Sequence, residues 1–346
     1  ESPVRLRLLE RLRRSGTSLD EYVQGRFYRG ILTGLNKAFV VEREDYERLI
    51  AEHPSSADVL KPFLRGRDVK RWRCEFQDRW LIFTRRGIDI KRYPAILNYL
   101  KPFKARLTPG IPGGRKPGGY EWYEIQDSID YWLEFEQPKI IYPNICKQNE
   151  FAWDSCQYYS NQKTFIIPRA TKYLLAVLNS SVTTWLFSQL LAKLQNGFYE
   201  PSSVFMRDFP IPRPLSNQQR YCECLAEALI LLNESGTSLQ NNDMPLAMMK
   251  TYFEQWLNGL VYELFFPDEL YNRKLRLFEE TAHLELPYLS GLPQEKRIGR
   301  LRELFETAYD SNARLRAMLF DLRSLEIVRI IEEPAERNAA KPVADL

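Results

Sequence analysis

The sequence predicts an α+β fold in which a mixed α/β region is followed by one that is almost wholly helical. Three observations predict it. Short runs of β-branched and aromatic residues alternate with short helical patterns between about Gly25 and Pro212. A stiff segment, Pro210 to Pro214 (PIPRP), then interrupts the chain. Beyond it apolar residues recur at helical spacing. At 44% hydrophobic and 13% aromatic, the 346-residue chain can bury a substantial core, which excludes general disorder.

Residues 1–20 read as a linker helix from a missing upstream catalytic region. Arg5, Arg7, Arg11, Arg13 and Arg14 make this stretch basic and amphipathic, and no apolar run suggests a secretory leader. Glu1 is taken as a boundary inside a longer protein. Residues 21–212 are read as the mixed domain. Its expected strands are Ala38–Val41, Trp80–Thr84, Lys139–Tyr142 and Thr164–Ile167, with helices at 43–52 and 93–107. Pro109–Gly119 is too rich in Pro and Gly for regular structure, so an exposed loop is expected, with Arg115 and Lys116 at its tip. Tyr173–Ala192 runs 20 residues without a charge, the length of a membrane span. It contains Asn179, Ser180, Ser181, Thr183, Thr184 and Gln189, however, and lacks a Lys/Arg-rich flank, so a buried helix or helix pair is expected.

Residues 213–333 are read as a helical scaffold, opened by a capping box of Ser216 and Gln219. Ile298, Leu301, Phe305, Ala308, Asn312, Leu315, Leu319 and Leu322 follow the alternating three-four spacing of a heptad seam. Asn312 stands where one polar residue would fix register. The seam serves either helix–helix contact with a partner or packing on its own domain. Residues 334–346 are expected to be a flexible tail.

The net charge of +4 conceals an asymmetry: residues 1–210 carry +9, residues 211–346 carry −5, and positions 61–120 alone carry +12. That block is interleaved with Trp72, Trp80, Phe83, Tyr93 and Phe103. Such density within a folded, aromatic-rich region is the footprint of a polyanion-binding surface. Its densest part is Arg65, Arg67, Lys70, Arg71 and Arg73, and it continues through Arg85, Arg86, Lys101, Lys104, Arg115 and Lys116. Arginine suits bidentate contact with phosphate or with guanine O6 and N7. Asp68 can instead lock a neighbouring arginine, so at least one of Arg65 and Arg67 is expected to be structural.

Signals for catalysis are few. The five cysteines, Cys74, Cys146, Cys156, Cys222 and Cys224, include no CxxC pair, and reduced thiols in a cytoplasmic protein are expected. There is no P-loop, no glycine-rich cofactor turn and no Asn-Pro-Pro-Tyr tetrad. The only histidines, His53 and His283, lie near no nucleophile elbow. Asp68-Val69-Lys70 and Asp89-Ile90-Lys91 are acid-x-Lys fragments of the kind nucleases use, but the only Pro-Asp pair, Pro267-Asp268, lies downstream of both. The chain is therefore expected to hold no catalytic site, cofactor or metal of its own.

Six motifs occur in order: Gly30–Phe39 (GILTGLNKAF), Lys61–Asp68 (KPFLRGRD), Tyr120–Glu124 (YEWYE), Lys139–Pro143 (KIIYP), Leu178–Ser180 (LNS) and Phe209–Pro212 (FPIP). Together they resemble the TaqI-like C-terminal specificity domain, over roughly residues 25–212. The Phe209–Gln219 junction is similar to the entry to the long helices of type I specificity subunits, and Val261–Phe266 to a short helix in the tail of these large enzymes. The resemblance implies a target-recognition domain of a type IIG restriction-modification enzyme or phage-defence adenine-N6 DNA methyltransferase. Such a module selects a short duplex DNA sequence for a methyltransferase upstream in the same chain. S-adenosylmethionine, and Mg²⁺ where a nuclease is also present, would belong to that upstream part. Gly30 and Gly34 permit tight turns, and Thr33, Asn36 and Lys37 are small polar donors suited to phosphate, though the motif can also be a plain strand entry. Tyr120–Glu124 is expected to pack in the core, Lys139–Pro143 to be a core strand and Leu178–Ser180 to lie in a helix. Two other readings stay open: a metal-dependent nuclease using Asp68 or Asp89, and an adaptor that docks a protein through its C-terminal helices.

Overall fold

Five successive residues, Lys139 to Pro143, are all buried, and the strand they form is flanked on both sides by partners. The computed structural model describes residues 3–235 and 244–333. In it this strand belongs to an antiparallel sheet ordered Tyr28–Arg29, Thr164–Pro168, Lys139–Pro143, Ala152–Asp154. A central strand covered on both faces needs apolar residues throughout, which explains the lack of alternation in Lys139–Pro143. Lys139 is the exception and is fully paired: its amine binds the equally buried Asp154 carboxylate and the Phe135 carbonyl. Asp154 also accepts the backbone N–H groups of Cys156 (2.7 Å) and Tyr158 (2.9 Å). Burying the pair costs solvation that these bonds offset.

A second sheet is ordered Val40–Glu42, Arg79–Ile82, Leu60–Leu64, Tyr159–Ser160, and only its last pair is parallel. The helix Arg43–Glu52 packs on it through Leu49, and Tyr46 stacks on Trp80 with centroids 4.1 Å apart. The helix Pro94–Leu100 opens with proline, whose missing N–H has no intrahelical partner to lose there. Phe63, Phe135 and Tyr159 occupy the core of this unit, which comprises residues 26–145 and 150–170.

The second unit comprises the described residues of 1–25, 146–149 and 171–346. It begins with the helix Pro3–Arg14, which buries Leu8 and Leu12 and pairs Arg11 with Glu269. The short strand Thr17–Ser18 then pairs with Pro210–Ile211. The uncharged stretch forms the expected helix pair, Lys172–Leu178 and Ser181–Leu190. Asn179 ends the first, and Ser180 caps the second. Asn149 ties the junction, donating to the carbonyls of Leu178 (2.8 Å) and Ser180 (3.1 Å) and accepting from Thr184 (2.8 Å). The long helices Ser216–Ser235 and Met244–Phe265 pack together, with Trp256 donating from its indole to Thr281 at 2.9 Å. Among the described residues no helix is long and apolar enough to cross a membrane.

Several expectations are corrected. Residues 3–20 are built into the helical unit through Leu8, Leu12 and the 17–18 strand, rather than standing apart as a linker. The compact mixed unit ends at 170, so residues 171–212 belong with the helices and not with the sheets. Residues Asn36–Phe39 make a helical turn, and the strand starts only at Val40. At the 216–235 helix, Gln218 rather than Gln219 reaches back, accepting from the Leu215 N–H at 2.8 Å. The heptad seam is not one helix but two, Gln294–Tyr309 and Arg314–Leu322. Asn312 is exposed in the break, where its N–H donates to Asp310. Leu301, Ala308, Leu315, Leu319 and Leu322 are buried within their own unit, so the proposed contact through Ile298–Leu322 has no continuous seam to offer. The predicted tail, 334–346, lies outside the described residues.

Candidate nucleic-acid interface

Pro109–Gly119 is irregular, as its composition requires, with Gly110 and Gly113 at φ of 74° and 75°. Arg115 does not sit at its tip. It is only 5% exposed, and its guanidinium donates to the carbonyls of Leu107 (2.8 Å), Thr33 (2.8 Å) and Trp122 (3.0 Å). The rings of Tyr120 and Phe39 lie 4.7 and 5.3 Å from it. Burial lowers its pKa from the usual arginine value, and an arginine stays charged regardless. A planar, permanently charged fork can satisfy carbonyls from three directions, and here it ties the 30–37 loop to residues 107 and 122. Gly34 completes the arrangement: at φ +83°, a Cβ there would lie 2.6 Å from Arg115 Cδ.

Thr33 is likewise internal. Its hydroxyl donates to Asn36 (2.7 Å) and accepts from the Leu35 N–H (3.2 Å), so it shapes the turn rather than offering a donor to phosphate. Asn36 and Lys37 are exposed beside it, and Lys116 is exposed beyond Arg115. The Tyr120–Glu124 motif packs against the core only in part, with Tyr120 and Glu124 buried, Trp122 and Tyr123 half-buried and Glu121 exposed, and it does more than fill space. Buried Glu124 accepts from the N–H groups of Gly87 (2.7 Å) and Glu121 (2.9 Å), which fixes the turn carrying Arg85 and Arg86. Arg86 donates to the Gln126 carbonyl at 2.8 Å and lies 5.4 Å from the Tyr120 ring. Lys104 lies 5.3 Å from the Trp122 ring, and Arg85 lies 4.5 Å from that of Trp132. Arg115 and Glu124 thus join four loops into one framework that displays Asn36, Lys37, Arg86, Lys104 and Lys116 at the surface. Lys101 is exposed as well and donates to Asn98 at 2.9 Å.

The remaining predicted cations form a second group. Arg65 is bound by both oxygens of buried Asp68, at 3.1 Å each, and is the structural arginine of the Arg65/Arg67 pair. Arg67 is exposed. Lys70 and Arg73 close a turn, with the Lys70 N–H donating to the Arg73 carbonyl at 2.9 Å. Trp72 anchors it: buried, at φ 73°, its N–H donates to Phe151 at 2.9 Å. A left-handed backbone is costly for a bulky residue, and driving the indole into the core compensates. Arg71 lies 5.6 Å from that indole, and Arg73 pairs with Glu75. Burial raises the Glu150 carboxyl above its ordinary range, with the charges of Lys70 and Arg71 pulling the other way. The acids of the two acid-x-Lys fragments have other tasks: Asp68 holds Arg65, and Asp89 accepts from the Lys91 N–H. Among the described residues no three His, Cys, Asp or Glu side chains stand together as metal ligands would.

Sequence reasoning missed the positioning role of Glu124 and the partners Trp122 and Trp132. Nothing in composition separates a buried glutamate that pins a turn from an exposed one. The only signal was its place in an aromatic-rich motif that the core would claim.

Residues 61–211 match the family model of the TaqI-like C-terminal specificity domain. Among solved structures, the type IIL restriction-modification enzyme MmeI in complex with DNA shares the fold, with a TM-score of 0.50 at 17% identity over 81% of this chain and 35% of that one. The type IIG restriction endonuclease BpuSI aligns with a TM-score of 0.40 at 14% identity, over 71% of this chain and 32% of that one. The chain therefore spans about a third of the length of each. A search of curated proteins gave no match.

Proposed function

We propose that this chain is the sequence-specific duplex-DNA recognition module of a restriction-modification enzyme. The observation that carries the reading is the match to the TaqI-like specificity domain over a basic block whose loops are tied together by buried Arg115 and Glu124. Lys37, Arg67, Lys70, Arg71, Arg86, Lys104 and Lys116 supply phosphate contacts and hence most of the affinity, while Asn36 and Arg85 contact bases. Arg65, Arg115 and Thr33 act from within by positioning those groups. The reading extends to the parent enzyme: an adenine-N6 methyltransferase domain upstream in the same chain, binding S-adenosylmethionine there, with Mg²⁺ if it also cleaves. Defence against phage in the cytoplasm is the setting that fits.

The test is duplex binding by fluorescence anisotropy over a range of salt. Affinity should fall with log salt at a slope of about −0.9 per phosphate neutralised. Replacing Arg67, Lys70 and Arg71 together with alanine should weaken binding to all duplexes and make the slope shallower by up to about 3. Salt-indifferent binding, or an unchanged slope in the triple variant, would contradict the reading.

A further inference from the structure

A cavity of about 300 Å³ opens beside the turn that Glu124 fixes, and neither the motifs nor the charge count pointed to it. Its walls combine three chemistries. Phe83, Tyr93 and Trp132 provide aromatic surface; Arg85, Arg86 and Arg92 provide positive charge; Asp58 and Asp89 provide carboxylates. Lys61 also lines it, but its amine is 3.4 Å from Glu136. The three arginines set against two aspartates leave about one unit of positive charge. That balance suits a single phosphate and is too small for a polyphosphate.

The aromatic wall narrows the class further. Arg85 lies 4.5 Å from the Trp132 ring centroid, lines the cavity with it and is exposed to solvent. Nucleobases stack on aromatic rings and on guanidinium planes, and this stack offers both. Carboxylates beside it accept hydrogen bonds from the exocyclic amino groups of adenine, cytosine or guanine. The volume lies at the low end for small-molecule pockets, which limits the occupant to one such unit.

We propose that this cavity binds a single nucleotide, with its base on the Arg85–Trp132 stack, its phosphate at Arg86 or Arg92, and an amino group at Asp58 or Asp89. Its role rests on the DNA-recognition reading: the occupant is one unstacked nucleotide of the bound DNA, and stacking in the cavity offsets the cost of leaving the helix.

Two measurements on the full chain test this. In calorimetry, at least one of the four deoxynucleoside 5′-monophosphates should bind ten times or more tightly than its nucleoside or inorganic phosphate. Trp132→Leu and Arg92→Gln should each weaken that binding at least tenfold, with thermal melts verifying that the variants fold. Absence of saturable binding, inorganic phosphate binding as well as the nucleotide, or indifference to both variants would overturn the proposal. In the second measurement, 2-aminopurine is placed at successive positions of a bound duplex. One position should brighten with the native chain and not with Trp132→Leu; tight duplex binding with no bright position overturns the role in DNA. Nucleotide binding by a chain that binds no duplex would instead overturn the DNA-recognition reading and leave the cavity assignment standing.

Discussion

Composition puts Arg115 at a loop tip, and its side chain lies instead beneath the loops, donating to Leu107, Thr33 and Trp122. A lysine there keeps the charge but loses the fork, leaving carbonyls unsatisfied at about 1–3 kcal/mol each. Arg115→Lys should therefore lower stability in urea unfolding, and bound DNA should show weaker discrimination among sequences while keeping its salt dependence. A variant that kept full discrimination would contradict the positioning role. At Glu150 the sign can be worked out. Its folded pKa is raised by burial, so ionisation opposes folding, and its contribution to stability is greatest in acid and lost as pH rises through that value. Glu150→Gln should therefore melt higher than the native chain at pH 7, with the gap closing as pH falls through the raised pKa. It should also bind duplexes more tightly at pH 7, since a negative charge beside Lys70 and Arg71 is gone; equal melting and affinity at pH 7 would refute this. At this scale the sequence conveyed charge and type well. It could not tell which arginines face inward, because that depends on carbonyls brought from residues 33, 107 and 122, distant in the chain.

Elements were more legible where a local rule decides. The helix Arg43–Glu52, the fully buried strand around Ile140 and the broken helix pair at Asn179–Ser180 follow from periodicity, burial on both faces and capping. The heptad pattern misled because period alone does not show continuity. Asp310 and Ala313 bound a break that falls inside the repeat, and the leucines on either side turn into the same core. Gly259 depends on this: a Cβ there would lie 2.8 Å from Leu319 and 2.9 Å from Leu277. Gly259→Val should cost the helical unit about 1–3 kcal/mol through overpacking, despite better helix propensity. Chemical denaturation would measure it; a neutral or stabilising result would mean that Leu319 and Leu277 do not approach this helix.

For the whole molecule, the α+β class and the location of the basic block were legible, whereas the unit boundary was not. The Pro210–Pro214 segment looked like a border but is tied by the Thr17–Ser18 strand into the helical unit. Long-range pairing of two residues on each side leaves no periodic trace in either segment. The functional account rests on the chain choosing among DNA sequences, and selection from a random duplex pool tests that most directly. Repeated binding and amplification at physiological salt should enrich one short motif with the native chain, and Arg115→Lys should blur it. A pool that stays random after several rounds, with duplex binding intact, would show a general cationic surface and contradict a recognition module.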